Sequence, residues 1–293
     1  MRPLMVIYPG NESIGRRLAE ALGADIASLT MRQFPDEETY VRLATLCQGR
    51  DVIVVATLDR PNPKVLPLLF IVDLAHELRA HRVILVAPYL AHMRQDTRFN
   101  PGEAVASRSF AKLLSGGIDA LVTIDPHLHR YEALAELYSV PAQVIHAAPL
   151  MAEWIQAEIE QPLVVGPDSE SEQWVADVAR RASAPYVVLE KTRRGDRDVE
   201  VSVPDVECWR NRQPVLVDDI ISTARTMIET VRHLKRTDLP APICVGVHAV
   251  FADDAHRALR SAGAERVVTT NTIAHESNEI DVSDAVAAAV ERM

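Results

Sequence analysis

Cysteine is scarce: three in 293 residues, with Cys47, Cys208 and Cys244 far apart and no CxxC pair among them. An odd, scattered set argues against a disulfide framework and a zinc ribbon, and fits a reducing compartment. Long apolar runs are also missing. No stretch approaches the roughly 20 residues that span a bilayer, and the opening MRPLMVIYPG is too short for a secretory leader. The expectation is a soluble, cytoplasmic protein with no membrane partner. Basic charge is in deficit, with 31 Lys and Arg against 41 Asp and Glu and a formal net charge of −10. A general nucleic-acid binder needs a basic surface to displace counterions, so no nucleic-acid partner is expected. A small phosphate ligand is compatible with that balance, because a few local cations or a metal suffice to hold it. There is no GxxxxGK[ST] loop and no GxGxxG fingerprint, so nucleotide binding cannot rest on either device. No Ser-His-Asp spacing stands out, and no segment is of low complexity.

What is present is a series of short apolar runs rich in Val and Ile. Among them are Leu4–Tyr8, Asp51–Ala56, Arg82–Ala87, Ala120–Ile124, Pro162–Val165, Pro214–Val217, Ile243–Val247 and Arg266–Thr270. Continuous apolar runs of strand length indicate strands covered on both faces, as in a parallel sheet. Between them lie helical patterns, including Ser13–Leu22, Pro63–Leu78, Ser107–Leu114, Ala224–Lys235 and Ala255–Ala262. Alternating strands and helices give an α/β fold with helices on the sheet faces. The order repeats: each half runs strand, helix, strand with a polar loop, helix, strand with a polar loop. Two similar domains are therefore expected, residues 1–148 and 149–293, with the boundary near Ala147–Pro149. The last helix, Ser283–Met293, is expected to return to the first domain. Arg94–Glu103 and Lys191–Val199, charged and poor in apolar residues, are expected to be mobile and to face solvent.

The segment VLVDDIISTARTM, Val215–Met227, concentrates the chemistry. An apolar strand ends in Asp218 and Asp219, hydroxyls follow at Ser222, Thr223 and Thr226, and a helix begins. Ligands of open α/β sheets bind outside the carboxyl ends of the strands. A loop entering a helix presents backbone N–H groups and a positive dipole end to a phosphate, while carboxylates accept hydrogen bonds from sugar hydroxyls. A plain helix cap by Ser222 or Thr223, with solvated acids, explains the same residues equally well.

The segment resembles the phosphoribosyl-diphosphate loop of phosphoribosyltransferases and of ribose-phosphate diphosphokinases. Six further motifs resemble the second family, in its order: QFPDEE at 33–38, YLAHMRQD at 89–96, TIDPH at 123–127, VGPD at 165–168, KTR at 191–193 and TNTI at 270–273. The stretch RFNPGE at 98–103 is most like archaeal-type members. The resemblance implies two phosphoribosyltransferase-like domains, each with a mostly parallel sheet flanked by helices. It implies transfer of the β,γ-diphosphoryl group of ATP to the 1-hydroxyl of ribose 5-phosphate, with Mg2+. By the same resemblance, Lys191 and Arg193 stabilise the transferring charge. Phe34, Asp36, Glu38, Arg94, Gln95, Asp96 and His127 contact ATP, Phe34 by stacking on adenine across a subunit interface. Asp218, Asp219, Ser222, Thr223, Ala224, Arg225 and Thr226 hold ribose 5-phosphate, and His127 and Asp168 serve the metal and triphosphate. His129 competes with His127 for that part. A homodimer or homohexamer is implied. The chain departs from the family pattern at Arg225 and at Glu37, where Gly is usual. It departs again at Ser169–Glu172, which replaces a Gly-Gly pair. A regulatory paralogue or an enzyme for another sugar phosphate are the alternatives these departures leave.

Overall fold

The computed structural model describes residues 1–167, 171–193, 199–202 and 209–293, with the backbone alone for 190–193 and 199–202. It divides into two compact units: residues 1–145 with 272–274 and 282–293, and residues 146–271 with 275–281.

The first unit contains β1 (Leu4–Ile7), α1 (Glu12–Ala21), β2 (Asp25–Ile26), β3 (Leu29–Gln33), β4 (Thr39–Leu43), β5 (Asp51–Val55), α2 (Asn62–Glu77), β6 (Arg82–Ala87), α3 (Ala106–Ser115), β7 (Ala120–Ile124) and β8 (Ala142–Ile145). Six strands form one parallel sheet in the order β2-β1-β5-β6-β7-β8. The apolar runs pair in register, with Val52 beside Val83 and Val54 beside Leu85. Alternate residues Val52, Val54, Val83, Leu85 and Leu121 join one core with Leu68, Ile71, Val72 and Ala75 of α2. That i, i+3, i+4, i+7 spacing turns one face of α2 onto the sheet. Ile53, Val55, Ile84, Val86 and Val122 are equally buried on the other face, so the sheet is covered on both sides as the continuous runs require.

The second unit contains α4 (Ala148–Glu158), β9 (Pro162–Gly166), α5 (Glu172–Arg181), β10 (Tyr186–Val188), β11 (Glu190–Arg193), β12 (Val199–Ser202), β13 (Gln213–Ile220), α6 (Arg225–Leu234), β14 (Ile243–His248), α7 (Ala255–Ala262), β15 (Arg266–Thr270) and β16 (Asn278–Ile280). Its parallel sheet runs β10-β9-β13-β14-β15-β16. The final helix, α8 (Ser283–Glu291), belongs to the first unit, where it packs on α1, β7 and β8.

Counted along the chain without the ribbons, both sheets have the strand order 2-1-3-4-5-6. Both units also insert an antiparallel two-stranded ribbon between their second and third sheet strands, β3–β4 in one and β11–β12 in the other. The repeated order legible in the sequence is thus a repeated topology. Among the described residues, no helix is long and apolar enough to cross a membrane.

Candidate active site

In a sheet of order 2-1-3, the chain winds outward one way and then the other. The carboxyl ends of strands 1 and 3 therefore diverge into a crevice where ligands collect. In the second unit these strands are β9 and β13. The chain leaves β9 at Gly166 and runs on toward Asp168, which lies outside the described residues, as do Ser169 and Glu170. It leaves β13 through Asp218 and Asp219, which are half-buried at the end of the strand.

The turn after β13 is held tightly. The Ile221 amide donates to His248 O at 3.0 Å, Phe251 N donates to Ile221 O at 2.9 Å, and Ala252 N donates to Ser222 O at 3.1 Å. The Ile221 side chain lies against Gly246 of β14, where an added Cβ would come within 2.5 Å of Ile221 Cδ1. Gly246 is therefore required for the close approach that sets the turn. Ala224 enters α6 in the left-handed conformation, with φ 55° and ψ 12°, an unfavourable state for a residue with a Cβ. Such strain gathers at ligand-binding turns.

This geometry decides between the two readings of the hydroxyls. The residue at the helix start is Ala224, and α6 has no side-chain cap hydrogen bond. Thr223 and Ser222 stand one and two positions too early to cap it. Half-buried Ser222 and exposed Thr223 precede a helix N-terminus whose first-turn amides no cap side chain takes. Arg225 is exposed at the first helical position and Thr226 follows it, half-buried. An uncapped N-terminus with adjacent hydroxyls has the donors that an anion site requires.

The corresponding crevice of the first unit, between β1 and β5, is closed by its own side chains. Asn11, 3% exposed, donates to Tyr8 O at 3.1 Å and accepts from Thr57 N at 2.8 Å. Thr57 Oγ1 donates to Thr272 O at 2.7 Å. Lys64 donates to Thr57 O at 3.1 Å and pairs with Asp59. The two copies of one topology thus carry different side chains and bonds at their switch points.

The remaining first-unit candidates occupy three places. Phe34, Asp36 and Glu38 form the tip of the β3–β4 ribbon. There Glu37 N donates to Phe34 O at 2.9 Å, making a β-turn around Pro35, and Phe34 N donates to Glu38 O at 2.8 Å. This turn carries the three acids Asp36, Glu37 and Glu38 to the surface. Glu37 has φ 69°, the backbone state for which Gly is the usual choice. The Arg32 guanidinium lies 4.5 Å from the Phe34 ring centre and 4.6 Å from that of Tyr40, an arrangement not foreseen from the sequence.

Arg94 and Gln95 are exposed on the turn after β6, while Asp96 is 8% exposed. Its carboxylate faces Arg130 Nε at 3.8 Å and its carbonyl accepts from Tyr131 Oη at 3.2 Å. Burial lowers the pKa of neighbouring His92, whose ring packs on Phe110 with 4.8 Å between centres. The stretch that follows is exposed as expected, yet it is organised. Glu103 accepts from Phe99 N, Asn100 N and Asn100 Nδ2 at 2.6–2.9 Å, which holds its carboxyl below the usual carboxylate range. His127 is half-buried after β7 in a left-handed conformation, φ 56°. Its ring meets that of exposed His129 edge-on at 4.0 Å, so the two competing histidines form one cluster. Lys191 and Arg193 stand in β11, paired with Val201 and Val199 of β12.

Two family models account for most of the chain. Residues 5–116 match the N-terminal domain of ribose phosphate pyrophosphokinase, and residues 133–285 match the phosphoribosyl transferase domain. A ribose-phosphate pyrophosphokinase of Methanopyrus kandleri is 33% identical over 293 residues, covering 99% of each chain. The chain belongs to the ribose-phosphate pyrophosphokinase family. A further member from Sulfolobus acidocaldarius is 30% identical, covering 97% of this chain and 99% of its own. The crystal structure of phosphoribosylpyrophosphate synthetase from Mycobacterium smegmatis superposes with a TM-score of 0.86, 24% identity and 99% and 98% coverage. The family's two-domain fold therefore extends over this whole chain, including the duplicated sheets.

Proposed function

We propose that the protein is a ribose-phosphate diphosphokinase: the 1-hydroxyl oxygen of ribose 5-phosphate attacks the β-phosphorus of ATP, the bond from that phosphorus to the α,β-bridging oxygen breaks, and AMP leaves. The observation that carries this reading is the switch point of the second unit, where β13 ends in two half-buried carboxylates and leads into a helix N-terminus with no side-chain cap hydrogen bond. The carboxylates Asp218 and Asp219 accept from the ribose 2- and 3-hydroxyls. Ser222, Thr223, Thr226 and the amides of residues 224–226 hold the 5-phosphate. Arg225, exposed beside that N-terminus, adds a charge-assisted bond.

Phosphoryl transfer of this kind depends on positioning and charge neutralisation. Lys191 and Arg193 supply cationic charge to the transferring group, and Arg94, Gln95 and His127 hold the nucleotide. Phe34 stacks on adenine while Asp36 and Glu38 accept from its amino group, across an interface between copies in a dimer or hexamer. Mg2+ neutralises the triphosphate when bound. One carboxylate completed by substrate phosphates and water is an ordinary magnesium arrangement, and by the family resemblance Asp168 would supply that carboxylate and His127 would serve the triphosphate. The buried carboxylate of Asp96, already facing Arg130, serves to hold the nucleotide turn in place.

AMP release from ATP, followed with a coupled assay, is expected to require both ribose 5-phosphate and Mg2+. No AMP from folded protein under those conditions overturns the reading in favour of a regulatory paralogue. AMP release with a different sugar phosphate alone favours an altered substrate. Arg225→Gly is expected to raise the KM for ribose 5-phosphate by about tenfold, the worth of roughly 1.5 kcal/mol from one charged hydrogen bond, with little change in kcat. An unchanged KM places the Arg225 side chain away from the phosphate.

A further inference from the structure

A second cluster of ligating side chains lies in the second unit, outside every residue used above. His256 is in the first turn of α7, and His275 and Glu276 are in the segment that leads into β16. One ligand atom from each of the three falls within 4.8 Å of the other two. We propose that His256, His275 and Glu276 form a binding site for a divalent transition-metal ion of the zinc class, with a fourth position left to water.

The spacing fits such an ion. His256 Nδ1 lies 3.2 Å from Glu276 Oε1. Two ligands at about 2.0–2.1 Å from a tetrahedral ion sit about 3.4 Å apart, so this pair already has the separation a shared metal imposes. The His275 ring stands edge-on to that of His256, with centres 4.8 Å apart.

The surroundings hold His275 in the orientation ligation needs. Its Nδ1 accepts from Ser277 N at 3.1 Å and lies 2.8 Å from Ser277 Oγ, so the ring is fixed at that nitrogen and Nε2 is the one not engaged by Ser277. Ser277 Oγ is in turn 2.8 Å from Thr269 Oγ1, and both hydroxyl residues are buried. A metal-bound imidazole donates its other N–H to a fixed acceptor; binding a metal through Nε2 therefore moves the ring proton to Nδ1, where Ser277 Oγ accepts it and the Ser277 N–H gives up its bond. The loop is pinned as well, since His275 N donates to Asn278 Oδ1 at 2.9 Å and Asn278 Nδ2 donates to Thr270 O at 2.7 Å. Phe251 packs on both rings, with 4.5 Å between centres to His275 and 5.2 Å to His256. That apolar wall favours neutral imidazole: burial, and then the charge of His256, hold His275 below its ordinary pKa, while Glu276 raises it. Neutral imidazole is the ligating form, and nitrogen donors select zinc, copper, nickel or iron over magnesium. The site is independent of the sugar-phosphate reading.

The test is titration of metal-stripped protein with Zn2+ against a chromophoric chelator, with millimolar Mg2+ present to occupy hard oxygen sites. In parallel, the histidine ring signals are followed by NMR. Wild type is expected to bind one equivalent of Zn2+ at micromolar concentration or tighter, with the His256 and His275 signals shifting together. Glu276→Gln, an exposed substitution that leaves the fold alone, is expected to weaken that equivalent by about tenfold, and His256→Ala to abolish it. Unmoved His256 and His275 signals in wild type, or equal Zn2+ affinity in wild type and Glu276→Gln, overturns the proposal and leaves an ordinary His–Glu ion pair. The NMR readout uses unaltered protein, so it decides even if His256→Ala fails to fold.

Discussion

Replacing Asp218 and Asp219 together with alanine is expected to lower kcat/KM for ribose 5-phosphate by about 10²- to 10⁴-fold. Hydrogen bonds to charged groups contribute roughly 1.5–3 kcal/mol each, and this change removes two acceptors from the sugar hydroxyls. The apolar run before them stays buried in the sheet, with Val215, Leu216 and Val217 fully inaccessible, so the loss falls on the site. ATP affinity measured calorimetrically without sugar phosphate is expected to stay within about threefold, because the change is aimed at uniform and transition-state binding of the sugar. The asparagine pair, close in shape, is expected to fall between wild type and alanine. A loss of kcat/KM below about tenfold would sink the assignment of this loop to ribose.

The second large effect is expected at Lys191. Removing one preorganised donor to a developing charge typically costs about 10²–10³ in kcat, and Lys191→Ala is expected to show a loss of that size. ATP affinity should be largely retained, since the interaction strengthens only as charge moves onto the transferring group. Single-turnover measurement separates the chemical step from product release. If instead ATP binding falls in proportion, Lys191 grips the ground state and Arg193 is left as the candidate for the transition-state part.

The sheets were legible because their strands are buried on both faces. Runs such as Val52–Val55 and Arg82–Ala87 have no polar alternation to blur them, and their partners in the register are each other. The ribbons were not legible. In β3 and β4, Thr30, Arg32, Gln33 and Arg42 interrupt the apolar pattern, because only the side bearing Leu29, Met31 and Val41 packs on the core. β16 is three residues long, too short for any period to register. The Asp218–Thr226 segment was recognisable as a site by its residue types, but its meaning depended on backbone conformation. Only the left-handed Ala224 shows that neither Ser222 nor Thr223 caps α6. Arg130 beside Asp96 and the His256–His275–Glu276 cluster were missed because each joins residues that the chain separates and the fold brings together, while Arg32, two residues from Phe34, lies over that ring only through the conformation of the ribbon.

Because both units carry it at the same point, the ribbon is part of the repeated module and not an addition to one copy. The two ribbons differ in their residues: an aromatic and acidic tip at Phe34–Glu38 in the first unit, and Lys191 and Arg193 within β11 in the second. One module, used twice in this chain, thus carries opposite charge at the same point of its topology.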